Sequence, residues 1–389
     1  MKIKHALRWL ALTLISVSPA IAAEPYSIDV VLPLTGGASF LGKAEQFALQ
    51  QAEKMLAKGE GIGGRPIKFV FYDDQSSPQT AVQLATQITA AKPAVVLGSG
   101  VVAMCNAMAP LMKNGPVMYC FSPGVYPPAG SFAFSSSVST RDLIETQLRY
   151  FRLKGWKKLA MITSTDASGQ DAAKNVKELM ALPENKELQL VIDTTFNPTD
   201  VSASAQIFRI KGAQPQALIA WSTGAGIGTV FKAIGEAGLA LPVATTNGNM
   251  TYAQMSQYAS FLPKELYIPS AEWLPDAPKN APTAQVEAKK VFHAAFEGSG
   301  ARPDSASSLA WDPTMLVISA LKKLGPNATA AQVRDYLANL QGYAGINGIY
   351  DFKKIPQRGV GSESVYVTRW SPEQKTWVVA SEPRGIPLP

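Results

Sequence analysis

The sequence predicts an α/β protein built as two doubly wound lobes, on three observations. From residue 27 onward, short apolar runs alternate with longer stretches of helical period, which implies parallel sheets covered by helices on both faces. That rhythm runs to about residue 120 and begins again at residue 158. With 389 residues, the chain also exceeds what one hydrophobic core usually serves, so two domains are expected.

The elements follow in order. Lys2, Lys4 and Arg8 precede an apolar stretch from Trp9, and Ala20, Ile21 and Ala22 form a small-x-small cleavage site. Residues 1–23 therefore read as a signal peptide, with cleavage near Ala22 or Ala23 and a periplasmic product. The stretch is short for a spanning helix, which needs about 20 apolar residues. Loss of its three basic residues lowers the formal charge from +7 to +4. The remaining Lys and Arg form no dense stripe, so a nucleic-acid partner is not expected.

Residues 27–32 (SIDVVL) read as a strand, 43–58 as a helix, 67–72 as a strand and 79–91 as a helix. Strands at 94–97 and 117–120 follow, leading into GSG and FSPG. The second series has strands at 158–162, 188–194, 217–221 and 243–245, with helices at 202–211 and 229–237. Residues 282–297, 313–323 and 329–339 read as helices, the last with Thr329 as N-cap. Residues 348–380 hold two or three antiparallel strands, which must complete one of the lobes. Cys105 and Cys120 are the two cysteines. In an exported chain they invite a disulfide, worth ~3 kcal/mol; two buried thiols are the other reading.

Open α/β sheets bind ligands beyond the carboxyl ends of their strands. Gly- and Ser-rich loops stand at those ends: 36–42 with Phe40 and Leu41, Gly98-Ser99-Gly100 before Val101, and Phe121-Ser122-Pro123-Gly124. The second series adds 164–169 with Thr165 and Ser168, then Trp221-Ser222-Thr223-Gly224, then Thr246-Asn247-Gly248. Free N–H groups in such loops can hold a carboxylate, with Ser99 and Ser122 as further donors. Capping and turning are the commoner uses of Ser and Gly. Phe40, Tyr119, Phe121 and Trp221 stand at or beside the loops and can enclose a ring; they serve equally as core.

Signals for catalysis are weak, and no catalytic residue, metal site or cofactor is expected. His293 is the one histidine after residue 23 and reads as a helix-surface residue. An exported hydrolase would have to depend on it. Asp73-Asp74 has no His or Cys companion and reads as a loop-capping pair. Gly224-Ala225-Gly226-Ile227-Gly228 follows a strand, but its spacing is not that of a dinucleotide loop and no acidic residue lies about 20 positions on.

Six segments then carry a resemblance: PLTGGASFLG, GIGGRPIKFVFYDDQSSPQTA, GPVMYCFSP, GWKKLAMITSTDASGQD, AWDPTMLVISAL and GINGIYDF. In order and spacing they resemble the type I periplasmic solute-binding proteins of ABC transporters, in the branched-chain amino-acid binding group. The resemblance spans the chain after its first 23 residues. It implies two Rossmann-like lobes joined by a three-strand hinge, residues 24–140 with 273–345 and residues 141–272 with 346–389. It also implies a non-enzymatic monomer that closes on a small molecule and delivers it to a membrane permease and its ATPase.

Members of that group that hold amino acids place an acidic residue on the second lobe, against the ligand's ammonium. Asn247 stands in that place here, Ser168 replaces a pocket tyrosine, and Val101 replaces a hydroxyl-bearing residue. An ammonium buried without a charge partner is costly. The expected ligand is therefore a carboxylate without an amino group, an aromatic acid of the benzoate or hydroxycinnamate type. A branched-chain amino acid or small amide is the alternative, and it gains weight if Asp166 or Glu272 reaches the pocket.

Overall fold

The computed structural model describes residues 24–275 and 280–389; the signal-peptide expectation for 1–23 lies outside them. The first series gives β1 (Tyr26–Leu32), α1 (Ser39–Leu56), β2 (Ile67–Asp73), α2 (Pro78–Ala90), β3 (Val95–Gly98), α3 (Val102–Met108), β4 (Val117–Cys120) and β5 (Ala133–Ser135). These strands form one parallel sheet in the order β2-β1-β3-β4-β5. All four residues of β3 and of β4 are buried. That is why they read as unbroken apolar runs and not as alternating ones.

The second series begins with α4 (Thr140–Leu153), a helix that the sequence reading left undescribed. It continues through β6 (Lys158–Ser164), α5 (Ala167–Met180), β7 (Gln189–Phe196), α6 (Ser204–Gly212), β8 (Ala217–Trp221), α7 (Gly226–Glu236), β9 (Val243–Ala244), α8 (Tyr252–Gln257) and β10 (Leu266–Ser270). Next come α9 (Thr283–Ala295), α10 (Ser305–Leu324) and α11 (Ala330–Ala338), which return to the first lobe. There Phe47 of α1 meets Phe296, and Phe292 of α9 meets Trp311 of α10.

The tail holds β11 (Gln341–Gly345), β12 (Gly348–Asp351), β13 (Tyr366–Ser371) and β14 (Thr376–Val379). The last two extend the second sheet, whose order is β14-β13-β10-β9-β8-β6-β7, with β13 antiparallel to both its neighbours. β11 and β12 pair with each other, and Phe352 packs edge-on against Phe134 of β5. That hairpin therefore sits with the first sheet, beyond the boundary drawn at residue 346.

The chain crosses between the lobes after β5, after β10 and after β12. Arg358, on the third crossing, is buried and donates to the carbonyls of Pro123, Val125, Ser136 and Ser137 on or near the first. A buried guanidinium needs such acceptors for its fixed fork of donors. Cys105 of α3 and Cys120 of β4 are disulfide-bonded, with Cα atoms 6.0 Å apart. Among the described residues, no helix is long and apolar enough to cross a membrane.

The largest difference in extent from the sequence reading is in α10. Pro313 was read as the first residue of its helix, yet α10 starts two turns earlier at Ser305, after an Asp304 N-cap that accepts from Ser307 N. A proline inside a helix leaves the carbonyl four residues back without a partner. Here that carbonyl, of Leu309, accepts the Ser136 hydroxyl at 2.6 Å, so the helix runs through.

Candidate functional site

Loops at the carboxyl ends of both sheets converge on one small cavity. The first lobe supplies Gly100, Val101 and Ser122; the second supplies Ser168, Trp221, Thr223 and Asn247. These seven expected residues meet there. Ser168 Oγ and Thr223 Oγ1 lie 2.8 Å apart in a mutual hydrogen bond. Asn247 and Trp221 are both buried. Among the described residues, no charged side chain lines the cavity.

The other five expected residues lie elsewhere. Ser99 turns its hydroxyl away, donating to Asp74 Oδ2 at 2.7 Å beneath the loop. Leu41 packs against Ala306 and Leu309. Thr165 is exposed at the loop edge, its N–H donating to the Phe196 carbonyl. Phe40 meets Tyr258 edge-on, with centroids 6.1 Å apart, at the contact between lobes. Phe121 is core, as is Tyr119; both lie in one apolar cluster, while Met118 and Cys120 face another. Strand alternation turns 119 and 121 to the same side, so of the four candidate ring walls only Trp221 reaches the cavity.

Thr140, Thr246, Gly248, Pro123, Gly124, Val102 and Leu309 also line it. Thr140 follows Ser139, which forms a capping box with Asp142 at the start of α4. That S-x-x-D pattern was a local signal for both the helix and the residue. Leu309 carries no comparable signal, because it enters from α10.

The lobes touch around the cavity. Ala225 N–H donates to the Gly37 carbonyl at 2.8 Å, and Asn175 donates to the Tyr126 hydroxyl at 3.3 Å. A side chain at Gly224 would collide with that Gly37 carbonyl, and its φ of +96° suits only glycine. The cavity left between them is about 20 Å³, room for about one water. Any organic ligand must therefore enter when the lobes part.

Neither Asp166 nor Glu272 lines this space. Asp166 caps α5, accepting from Gly169 N and Ser164 Oγ, and Glu272 accepts from Gln285. Asp73 accepts from the backbone of Leu34, Thr35 and Gln75, as a loop cap does. His293 lies on α9, its ring within 3.3 Å of the Trp273 carbonyl, outside the cavity.

Sequence reasoning missed Glu45. This α1 residue is fully buried, with neither carboxyl oxygen hydrogen-bonded, and it packs directly beneath Gly100. Burial, then the nearby Asp74 and Asp304, hold its carboxyl well above the usual range. Burial also lifts Asp74 to about 6, although Ser99 and the Ser76 N–H oppose the rise. Asp304 is lifted to about 6 by burial. Among the described residues, no cluster of three or more acidic, His or Cys side chains is arranged to hold a metal.

A search of curated proteins gives no match. Among solved structures, the chain is similar to an extracellular ligand-binding receptor from Rhodopseudomonas palustris HaA2, at 20% identity and a TM-score of 0.78, covering 92% of this chain and 99% of that one. It is similar to an R. palustris ABC-transporter solute binding protein solved with benzoate, at 19% identity and a TM-score of 0.77, covering 94% and 97%. LivJ from Streptococcus pneumoniae, a branched-chain amino acid transporter substrate binding protein solved with isoleucine, is also similar, at 19%, 0.77, 92% and 99%. At such identities these likenesses establish the fold. The family model described as periplasmic binding protein matches residues 25–375. This chain belongs to that family of type I periplasmic binding proteins.

Proposed function

We propose that the chain is the periplasmic substrate-binding component of an ABC importer, and that its lobes close on a small organic carboxylate, an aromatic acid before any other. The observation that carries this reading is the neutral lining of the cleft. Asn247 stands where amino-acid binders of the family have an acid, and neither Asp166 nor Glu272 lines the cavity. An ammonium there would lose its hydration with no charge in return. A carboxylate can be met by the hydroxyls of Ser122, Ser168 and Thr223 and by loop N–H groups, with Trp221 as the face for a ring.

Hinge closure supplies the affinity only through contacts that the ligand makes with both lobes at once. In the closed arrangement the lobes meet each other directly at Gly37, Phe40 and Tyr126. The ligand adds its own bridge between Ser122 on one side and Thr223 and Asn247 on the other. A family neighbour solved with benzoate supports the aromatic class, while neighbours with branched-chain ligands keep the amino-acid alternative in view. Nothing in this reading requires a reaction or a cofactor, and the chain works as a monomer with its permease and ATPase.

The test is thermal unfolding of refolded, ligand-stripped protein against benzoates, hydroxycinnamates, aliphatic acids and amino acids. A binder at 100 times its dissociation constant adds ~2.7 kcal/mol, a shift of some degrees. Shifts confined to aromatic acids support the reading; a shift with leucine or valine alone overturns the ligand class.

A further inference from the structure

Directly beneath the cleft lies a carboxyl group with no partner of its own. Glu45, on α1, is fully buried, and neither of its oxygens is hydrogen-bonded. It packs under Gly100, which lines the cleft, so closely that a Cβ on Gly100 would overlap both carboxyl oxygens. Glu45 itself does not line the cavity. One glycine backbone separates the two.

The groups that face Glu45 make its ionisation costly. Asp74, in the loop after β2, and Asp304, the N-cap of α10, are both acids and both buried. The donors at hand are committed to them. Ser99 Oγ and Ser76 N–H donate to Asp74, while the N–H and hydroxyl of Ser307 donate to Asp304. One turn earlier on the same face of α1, Leu41 packs on Ala306 and Leu309, so this side of the helix meets apolar side chains. A carboxylate buried without a cation or a donor is far costlier than the neutral acid. Burial first, and the two aspartates next, hold the Glu45 carboxyl well above its usual range.

The cleft lies on the other side of Gly100. A ligand atom in contact with Gly100 stands about 7 Å from the Glu45 carboxyl, a glycine backbone plus one van der Waals contact. At an effective dielectric of about 20, like charges at that distance weaken binding by roughly fiftyfold. A neutral Glu45 costs an anion nothing, and an ionised one repels it. The same ionisation would attract an ammonium.

We propose that Glu45 is a specificity-determining residue that acts through Gly100: the cleft accepts a carboxylate only while Glu45 holds its proton. The inference rests on the carboxylate reading of the cleft and adds a proton to the binding step. By linkage, the bound anion strengthens Glu45's hold on its proton by the factor that the proton strengthens binding.

Titration calorimetry with benzoate on ligand-stripped wild type and Glu45→Gln tests this, from about pH 5 to about pH 9, the value that buried glutamates reach. Wild-type affinity is expected to fall as pH rises, by about tenfold or more beyond whatever step Asp74 and Asp304, both at about 6, give in the two proteins alike. Paired buffers of different ionisation heat should show more proton uptake with benzoate in the wild type than in the variant. A merely structural Glu45 would shift the variant's affinity at every pH and leave the shape of the profile unchanged. Profiles of the same shape, or equal proton uptake, overturn the inference and leave the ligand class standing. If Glu45→Gln does not fold, carbon-13 NMR of the wild-type Glu45 carboxyl decides: benzoate must raise its titration midpoint, and an unmoved midpoint overturns the inference. Absence of benzoate binding at every pH overturns the carboxylate reading, and this inference with it.

Discussion

Ser136 donates its hydroxyl to the carbonyl of Leu309 at 2.6 Å, filling the donor position that Pro313 vacates one turn along α10. The pair ties the first crossing between lobes to a helix that lines the cleft through Leu309. Both residues are buried. Ser136→Ala leaves a buried carbonyl unpaired and costs about 1–3 kcal/mol. Urea unfolding measures it; an unchanged midpoint would show that the carbonyl finds another donor.

Glu45 gives the fold a pH dependence. Its carboxyl, and those of Asp74 and Asp304, are raised in the folded chain, chiefly by burial. A raised folded pKa favours the protonated form, so its stabilisation is full below the unfolded value near 4. That stabilisation is lost as pH rises through the folded values, near 6 for the two aspartates and well above the usual carboxyl range for Glu45. Glu45→Gln removes the part of the loss that Glu45 contributes. Unfolding free energy should then fall less than in the wild type as pH rises above the unfolded value of about 4; parallel curves would contradict this.

The Cys105–Cys120 bond closes a loop with a sequence separation of 15. In the chain-entropy model, loss of such a loop costs ~3 kcal/mol. A Cys105→Ala/Cys120→Ala double variant should lose about that much in denaturant unfolding while keeping ligand affinity, since neither residue lines the cleft. Equal midpoints would show that the bond adds nothing.

The architecture was legible because each strand end is marked by a change of period and a Gly/Ser loop, and the fold itself brings those loops together. Seven residues named from that rule and from the family resemblance line the cavity between the lobes. What failed needed distant partners. Tyr119 and Phe121 could not be assigned to core from sequence, because β4 is buried on both faces and its alternation carries no polar mark. Pro313 looked like a helix start because Ser136, the group that tolerates it inside the helix, lies 177 residues earlier in the chain. Glu45 gave no signal on an amphipathic helix, since its burial depends on packing beneath Gly100.

The central claim is that the cleft takes a carboxylate and has given up the ammonium at Asn247. Titration calorimetry of ligand-stripped wild type and Asn247→Asp, with benzoate and with leucine, tests it most directly. The account predicts that the wild type binds benzoate and not leucine, and that Asn247→Asp weakens benzoate by tenfold or more, about 1.4 kcal/mol, while gaining leucine. Tight leucine binding by the wild type would contradict it.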